Sequence, residues 1–224
     1  MELVLTATEA RVLGCLIEKG ITTPEYYPLS LNSLTAACNQ KSNRSPAMAL
    51  DEKAVVRALD GLREKGLARV VSGADLRVPK YYHRFDEELE LAGPELALLC
   101  ELMLRGPQTV GELRGRAGRM AELGDLPEVS SRLEGLAARE AGALVVRLPR
   151  QPGRKESRYA HLLCGAPAPE SEVAEEREPR PEAATLAVRA EDERLAALES
   201  EVAVLRDEVA ELRQQLGEFR RQFE

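Results

Sequence analysis

Val55–Val71, VVRALDGLREKGLARVV, decides the fold, because the chain writes this stretch twice. From Val129 it reads VSSRLEGLAAREAGALVV, and Val55, Leu59, Gly61 and Leu62 fall on Val129, Leu133, Gly135 and Leu136 at a constant offset of 74. In both copies an apolar i, i+4, i+7 stripe gives way, after a glycine, to a β-branched run. That pattern predicts an amphipathic helix delivering the chain into a short strand.

Upstream, residues 8–19 (TEARVLGCLIEK) place Val12, Leu13, Leu16 and Ile17 on one helical face, with Thr8 as the expected N-cap and Gly20 as the expected stop. The second copy starts at Pro94, PELALLCELMLR, where Glu95, Leu99, Leu102 and Gly106 match Glu9, Leu13, Leu16 and Gly20. A short helix is expected at 31–38 (LNSLTAAC) and its counterpart at 110–117 (VGELRGRA). Asp51 suits the N-cap of the first long helix and Pro127 the first turn of the second. Downstream, each copy closes with two short strands around a polar turn, LARVV with VPKYYHRF and ALVVRL with SRYAHLL. Tyr81 and His83 then match Tyr159 and His161, so both histidines of the chain occupy equivalent places, expected at edge positions of the hairpins.

Three helices followed by a hairpin describe the winged-helix form of the helix-turn-helix. The expected fold class is therefore mainly α with small β-hairpins. It comprises two tandem winged-helix (helix-turn-helix) domains, 1–92 and 93–165, and a C-terminal coiled-coil helix at 187–224. Between them, residues 166–186 are rich in Pro and Glu with little to bury, and read as a flexible linker.

The C-terminal periodicity is of another kind. Leu195, Leu198, Val202, Leu205, Val209, Leu212, Leu216, Phe219 and Phe223 are spaced alternately by 3 and 4, a heptad seam. Val at interior a sites with Leu at d sites favours a parallel two-stranded coil, hence a homodimer. The flanking g and e' positions pair Arg194 with Glu199, Glu201 with Arg206 and Glu208 with Arg213, all opposite in charge. The other reading is one amphipathic helix docked on its own domains.

Composition excludes several classes. No apolar run reaches the ~18 residues of a membrane span, and MELVLTATEARV lacks the basic start of a secretory signal, so the expected location is cytoplasmic, with no membrane partner. Cys15, Cys38, Cys100 and Cys164 stand singly, so neither a metal site nor a cofactor is expected, and Cys15 and Cys100 read as small hydrophobes. There is no GxSxG, P-loop, HExxH or strand–GxGxxG–helix unit, and GELRGRAGRM lies on a short helix, so the chain is not read as an enzyme. The net charge of −7 divides unevenly: residues 166–224 carry −8 and residues 93–165 carry +2.

With both repeats placed, LTATEARVLGCLIEKGITTPEYYPLSLNSLTAACNQKSNRSP (5–46) and RALDGLREKGL (57–67) resemble the YceH family of uncharacterised bacterial proteins. The resemblance implies a tandem winged-helix fold and supplies no catalytic residues.

The leading functional expectation is a DNA-binding regulator, contacting double-stranded DNA through a third helix and a wing. Phosphate contact needs lysines and arginines. The first domain offers Lys41, Arg44, Lys53, Arg57 and Lys80, together with Arg77. The second offers Arg114 and Arg116 on its short helix, and Arg147, Arg150, Arg154 and Lys155 along a wing whose residues 147–158 carry a net +4. Against this, Asp60, Glu64, Glu128 and Glu134 fall on the outward faces of the third helices, where carboxylates repel phosphate. The alternative is a protein-interaction scaffold using the winged helices and the coiled coil.

Overall fold

The computed structural model describes residues 3–72, 78–151, 153 and 156–167. The expected coiled coil, nearly all of the expected linker, and Arg77, Arg154 and Lys155 lie outside the described residues. In chain order the elements are α1 (Ala7–Thr22), a 3-10 turn (Pro24–Tyr26), β1 (Leu29–Ser30), α2 (Leu31–Cys38), α3 (Glu52–Glu64), β2 (Ala68–Val71) and β3 (Lys80–His83). There follow α4 (Phe85–Leu89), α5 (Gly93–Arg105), α6 (Val110–Ala117), α7 (Leu126–Ala137), β4 (Val145–Arg147) and β5 (Tyr159–His161). The fold is mainly helical, with one three-stranded and one two-stranded antiparallel sheet.

The caps show why the helices begin where they do. Ser30 and Thr109 cap α2 and α6 with their hydroxyls, while Asp51 and Asp125 cap α3 and α7, accepting from Ala54 N at 2.7 Å and Glu128 N at 2.9 Å. Each pair is equivalent in the two repeats. α1 starts earlier than expected: Thr6, not Thr8, is its N-cap. The Thr6 hydroxyl accepts from Glu9 N at 3.1 Å and the Glu9 carboxylate accepts from Thr6 N at 2.7 Å, a reciprocal capping box.

Gly20 does not stop α1, which continues to Thr22. Its bare Cα instead admits the Tyr27 ring, which a Cβ would approach to 3.3 Å. The counterpart Gly106 does act as a stop, with a φ of +74° directly after α5. A further short helix, α4, is absent from the sequence reading. It is anchored by Phe85, which is fully buried.

The hairpin registers confirm the equivalence of the repeats. Ala68 pairs with His83 in the first and Val145 with His161 in the second. Leu29 pairs with Tyr81, and an isolated bridge sets Gln108 opposite Tyr159. The expectation of edge strands for the histidines is corrected in the first sheet, whose order is β1-β3-β2, so β3 is central. The two-residue β1 is too short to carry a sequence pattern.

All described residues belong to one compact unit, Met1–Ala168, and one aliphatic core runs through both repeats. α1 packs on α5 across it. Gly14 and Cys100 are equivalent by the α1–α5 offset, and they meet: Cys100 Sγ donates to the Gly14 carbonyl at 3.3 Å. Equivalent residues of the two repeats thus touch where α1 packs on α5. Glycine is needed at 14, since a Cβ would stand 2.9 Å from Leu104 Cδ2. Cys15, Cys38 and Cys100 are buried as small hydrophobes, whereas Cys164 is exposed.

Beside this crossing lies a buried ionic cluster. Glu18 of α1 takes Arg44 Nη2 at 2.5 Å and Arg119 Nη2 at 2.6 Å. Arg119 continues to Glu101 of α5 at 2.9 Å, and Arg105 Nε reaches the same carboxylate at 3.2 Å. Burial opposes the charge on Glu18, but hydrogen bonds from the two arginines outweigh it and hold its carboxyl below the ordinary range. Among the described residues no helix is long and apolar enough to cross a membrane, and no group of three side chains is arranged to hold a metal ion.

Candidate functional site

The sequence-predicted basic residues separate once their surroundings are known. Lys41 is exposed in the loop between α2 and α3. Lys53 and Arg57 are both exposed and sit four residues apart, on one face of the N-terminal half of α3. Lys80 opens β3, opposite Ser30 and Val71, and is half-buried. Arg114 is exposed and donates from Nε to the Gly124 carbonyl at 2.7 Å. Arg116 lies between Gln108 Oε1 at 2.9 Å and Glu112 at 3.8 Å, so its charge is partly spoken for.

Arg44 is a correction. Its side chain is fully buried against Glu18, with Nε donating to the Ala37 carbonyl at 3.1 Å. This guanidinium is neutralised by Glu18 inside the core and is out of reach of a duplex phosphate.

Arg147 and Arg150 are brought together. Both are exposed and line one cleft of about 530 Å³ with Val110 and Gly111 at the start of α6, Leu126 and Pro127 at the start of α7, and Tyr159 of β5. Neither arginine has a carboxylate within ion-pair distance among the described residues, although Glu156 also lines the cleft. The two guanidinium groups thus stand beside the starts of α6 and α7, whose amides are already capped, Thr109 N by the Glu112 carboxylate and Glu128 N by that of Asp125. What favours an anion here is the pair of arginines rather than the helix starts. Sequence reading misses the cleft because it depends on the hairpin folding back over both helix starts; the capping residues Thr109 and Asp125 are the signal that could have found it.

The outward carboxylates weigh less against anion binding than the sequence suggests. Asp60 is paired with Arg63 at 3.1 Å and Glu128 with Arg132 at 2.6 Å. Both pairs are partly exposed and contribute little to stability, yet each cancels a negative charge on the face in question.

The histidines are not placed for chemistry. His161 is held neutral by burial, its pKa lowered to about 4. Burial also lowers His83, against the opposing pull of Asp86, whose carboxylate stands 3.2 Å from Nδ1. Of the two tyrosines in the loop after α1, Tyr27 packs on the core and its hydroxyl accepts from His83 N at 2.7 Å, while Tyr26 is exposed.

This duplicated helical unit, with one basic cleft and no metal-ligating cluster among its described residues, belongs to a bacterial family without an assigned activity. The family is the one described as "Protein of unknown function, DUF480", whose sequence model matches residues 5–154. Among relatives, the chain is 60% identical over 201 residues to a UPF0502 protein of Geotalea daltonii, covering 90% of this chain and 89% of that one. It is 61% identical over 201 residues to a UPF0502 protein of Geobacter metallireducens, covering 90% of each. A UPF0502 protein of Koribacter versatilis is 53% identical over 201 residues, again with 90% of each covered.

Proposed function

We propose that the two repeats are winged-helix units and that the chain is a non-enzymatic, homodimeric DNA-binding regulator. The order of helix, helix, helix and hairpin supports the first part, as does the resemblance of residues 5–46 to the YceH family. One observation carries the second part: Arg147 and Arg150, with no described carboxylate to neutralise them, share a cleft with the starts of α6 and α7. Two exposed guanidinium groups so grouped suit the phosphates of a duplex. Lys53 and Arg57 would read or flank bases from α3, since the N-terminal half of a recognition helix is the part that meets base edges. The heptad seam from Leu195 to Phe219, known from sequence alone, would join two copies and so two basic faces.

The test is fluorescence anisotropy of full-length protein with random-sequence duplex at low and moderate salt. Binding is expected to weaken steeply with salt. Arg147→Ala with Arg150→Ala is expected to weaken it for every sequence and to lower the log–log salt slope by about two, one for each phosphate no longer neutralised. No binding at low salt would overturn the reading.

The alternative, a protein scaffold, draws on exposed apolar side chains. Tyr26, Val71 and Val78 are 71%, 39% and 50% exposed, the last two flanking the first wing. Under that reading the double arginine variant would leave partner capture intact.

A further inference from the structure

Between the two repeats, α1, the loop before α3, the turn joining α5 to α6, and β5 with the segment after it line a half-open cavity of about 310 Å³. Its wall is mostly apolar and includes Ala10, Met48, Met103 and Pro107. Size and lining are those of a small-molecule site.

Arg11, His161 and Ser45 interrupt this wall with polar side chains. Arg11, 1% exposed, donates from Nη1 to the Cys38 carbonyl at 3.2 Å and from Nη2 to the Pro46 carbonyl at 2.7 Å. Its Nε is buried without a partner, and so is Nδ1 of His161. The contrast with Arg44 is informative. Arg44 is neutralised by Glu18, whereas Arg11 has no carboxylate within ion-pair distance among the described residues. A buried cation hydrogen-bonded only to carbonyls, with the Arg44 cation nearby, lacks the counter-charge that normally accompanies burial. An anion entering the cavity would supply it.

We propose that this cavity binds a small apolar monocarboxylate, its hydrocarbon part against Met48 and Met103 and its carboxylate against Arg11. One buried guanidinium matches one negative charge. A phosphate would bring a second charge and several oxygens that an apolar wall cannot hydrogen-bond, so a carboxylate is the better match. The site is independent of DNA binding, and its test does not involve DNA.

Cys164 makes the test direct. It lines the same cavity and is the one exposed cysteine of the four. The rate at which a thiol reagent modifies native full-length protein therefore reports on occupancy. Octanoate is the probe, with 1-octanol matching its tail and octylammonium reversing its charge. Octanoate is expected to slow Cys164 modification saturably and to raise Tm, as any ligand selective for the folded state does. 1-Octanol and octylammonium are expected to bind at least about tenfold more weakly, for want of a charge-assisted hydrogen bond. Arg11→Met should erase the preference for octanoate over 1-octanol. Arg11 is buried and its loss can unfold the chain, so Met48→Trp is the second variant: it fills the cavity from a half-buried loop position and should abolish protection. Three results would each overturn the proposal: no saturable protection by octanoate, equal protection by 1-octanol, or protection unchanged in a folded Met48→Trp variant.

Discussion

Arg44 carries the same charge as Lys53 and Arg57 and does different work. In the string NQKSNRSP it reads as one more basic residue of a polar loop; its partner Glu18 lies 26 positions away, on a helix whose apolar periodicity gives no hint that a carboxylate is enclosed. Burial of a charge is a property of long-range packing, so it was not legible. Arg44→Met should cost about 3–5 kcal/mol, because breaking a buried pair strands the remaining charge. Urea denaturation measures this, and a loss below ~1 kcal/mol would mean that Arg119 satisfies Glu18 alone. His161 gives a second prediction at this scale. Its pKa falls from the ordinary 6.5 to about 4 on folding, so below pH 6.5 the unfolded chain takes up a proton that the folded chain refuses. The stability it contributes is fully present above pH 6.5 and is lost as pH falls toward 4, by roughly 3 kcal/mol. The difference in stability between wild type and His161→Leu should change by that amount between pH 7 and pH 4. A difference that stays constant would show that His161 takes up its proton equally in both states.

The helices and hairpins were legible because two copies of each pattern checked one another. The limits of α2 and α6 and the cap Asp51 follow from local side-chain chemistry, which a sequence displays directly. What the repeats hide is how equivalent positions diverge. Gly61 and Gly135 align, and both lie in the long third helix of their repeat. Nothing stands within 4 Å of a Cβ built on Gly135, whereas one built on Gly61 collides with the Glu9 carboxylate. That carboxylate caps α1 and takes Lys65 Nζ at 2.6 Å. Gly135→Ala should therefore raise stability by about 0.5–1 kcal/mol through helix propensity. Gly61→Ala should raise nothing or lower stability, since displacing Glu9 forfeits a cap contributing about 1 kcal/mol. Thermal or urea unfolding of the two variants side by side decides the matter. Equal gains would show that Glu9 moves aside freely.

At the scale of the molecule, duplication has produced a single core rather than two beads. Gly14 and Cys100 meet where α1 packs on α5, and the Glu18–Arg119–Glu101 chain ties the repeats beside them. Sequence alone shows the tandem repeat and gives no view of this crossing, because a face that packs on a sister repeat looks like any other apolar face. The consequence for function is that each chain presents Arg147, Arg150, Lys53 and Arg57 from one compact unit, and a dimer would present them twice. The seam from Leu195 to Phe219 supplies the means. Full-length protein is therefore expected to sediment as a dimer, and Leu205→Pro with Leu212→Pro as a monomer, since each proline breaks the helix and removes a d-site side chain. If two units engage one duplex, the second binds at the high effective concentration set by the tether. The monomeric variant should then lose on the order of 10²-fold or more in DNA affinity, and its salt slope should fall to about half, because one chain neutralises half as many phosphates as two. A monomer that keeps the full slope and affinity would confine DNA binding to one chain and leave the heptad seam some other task.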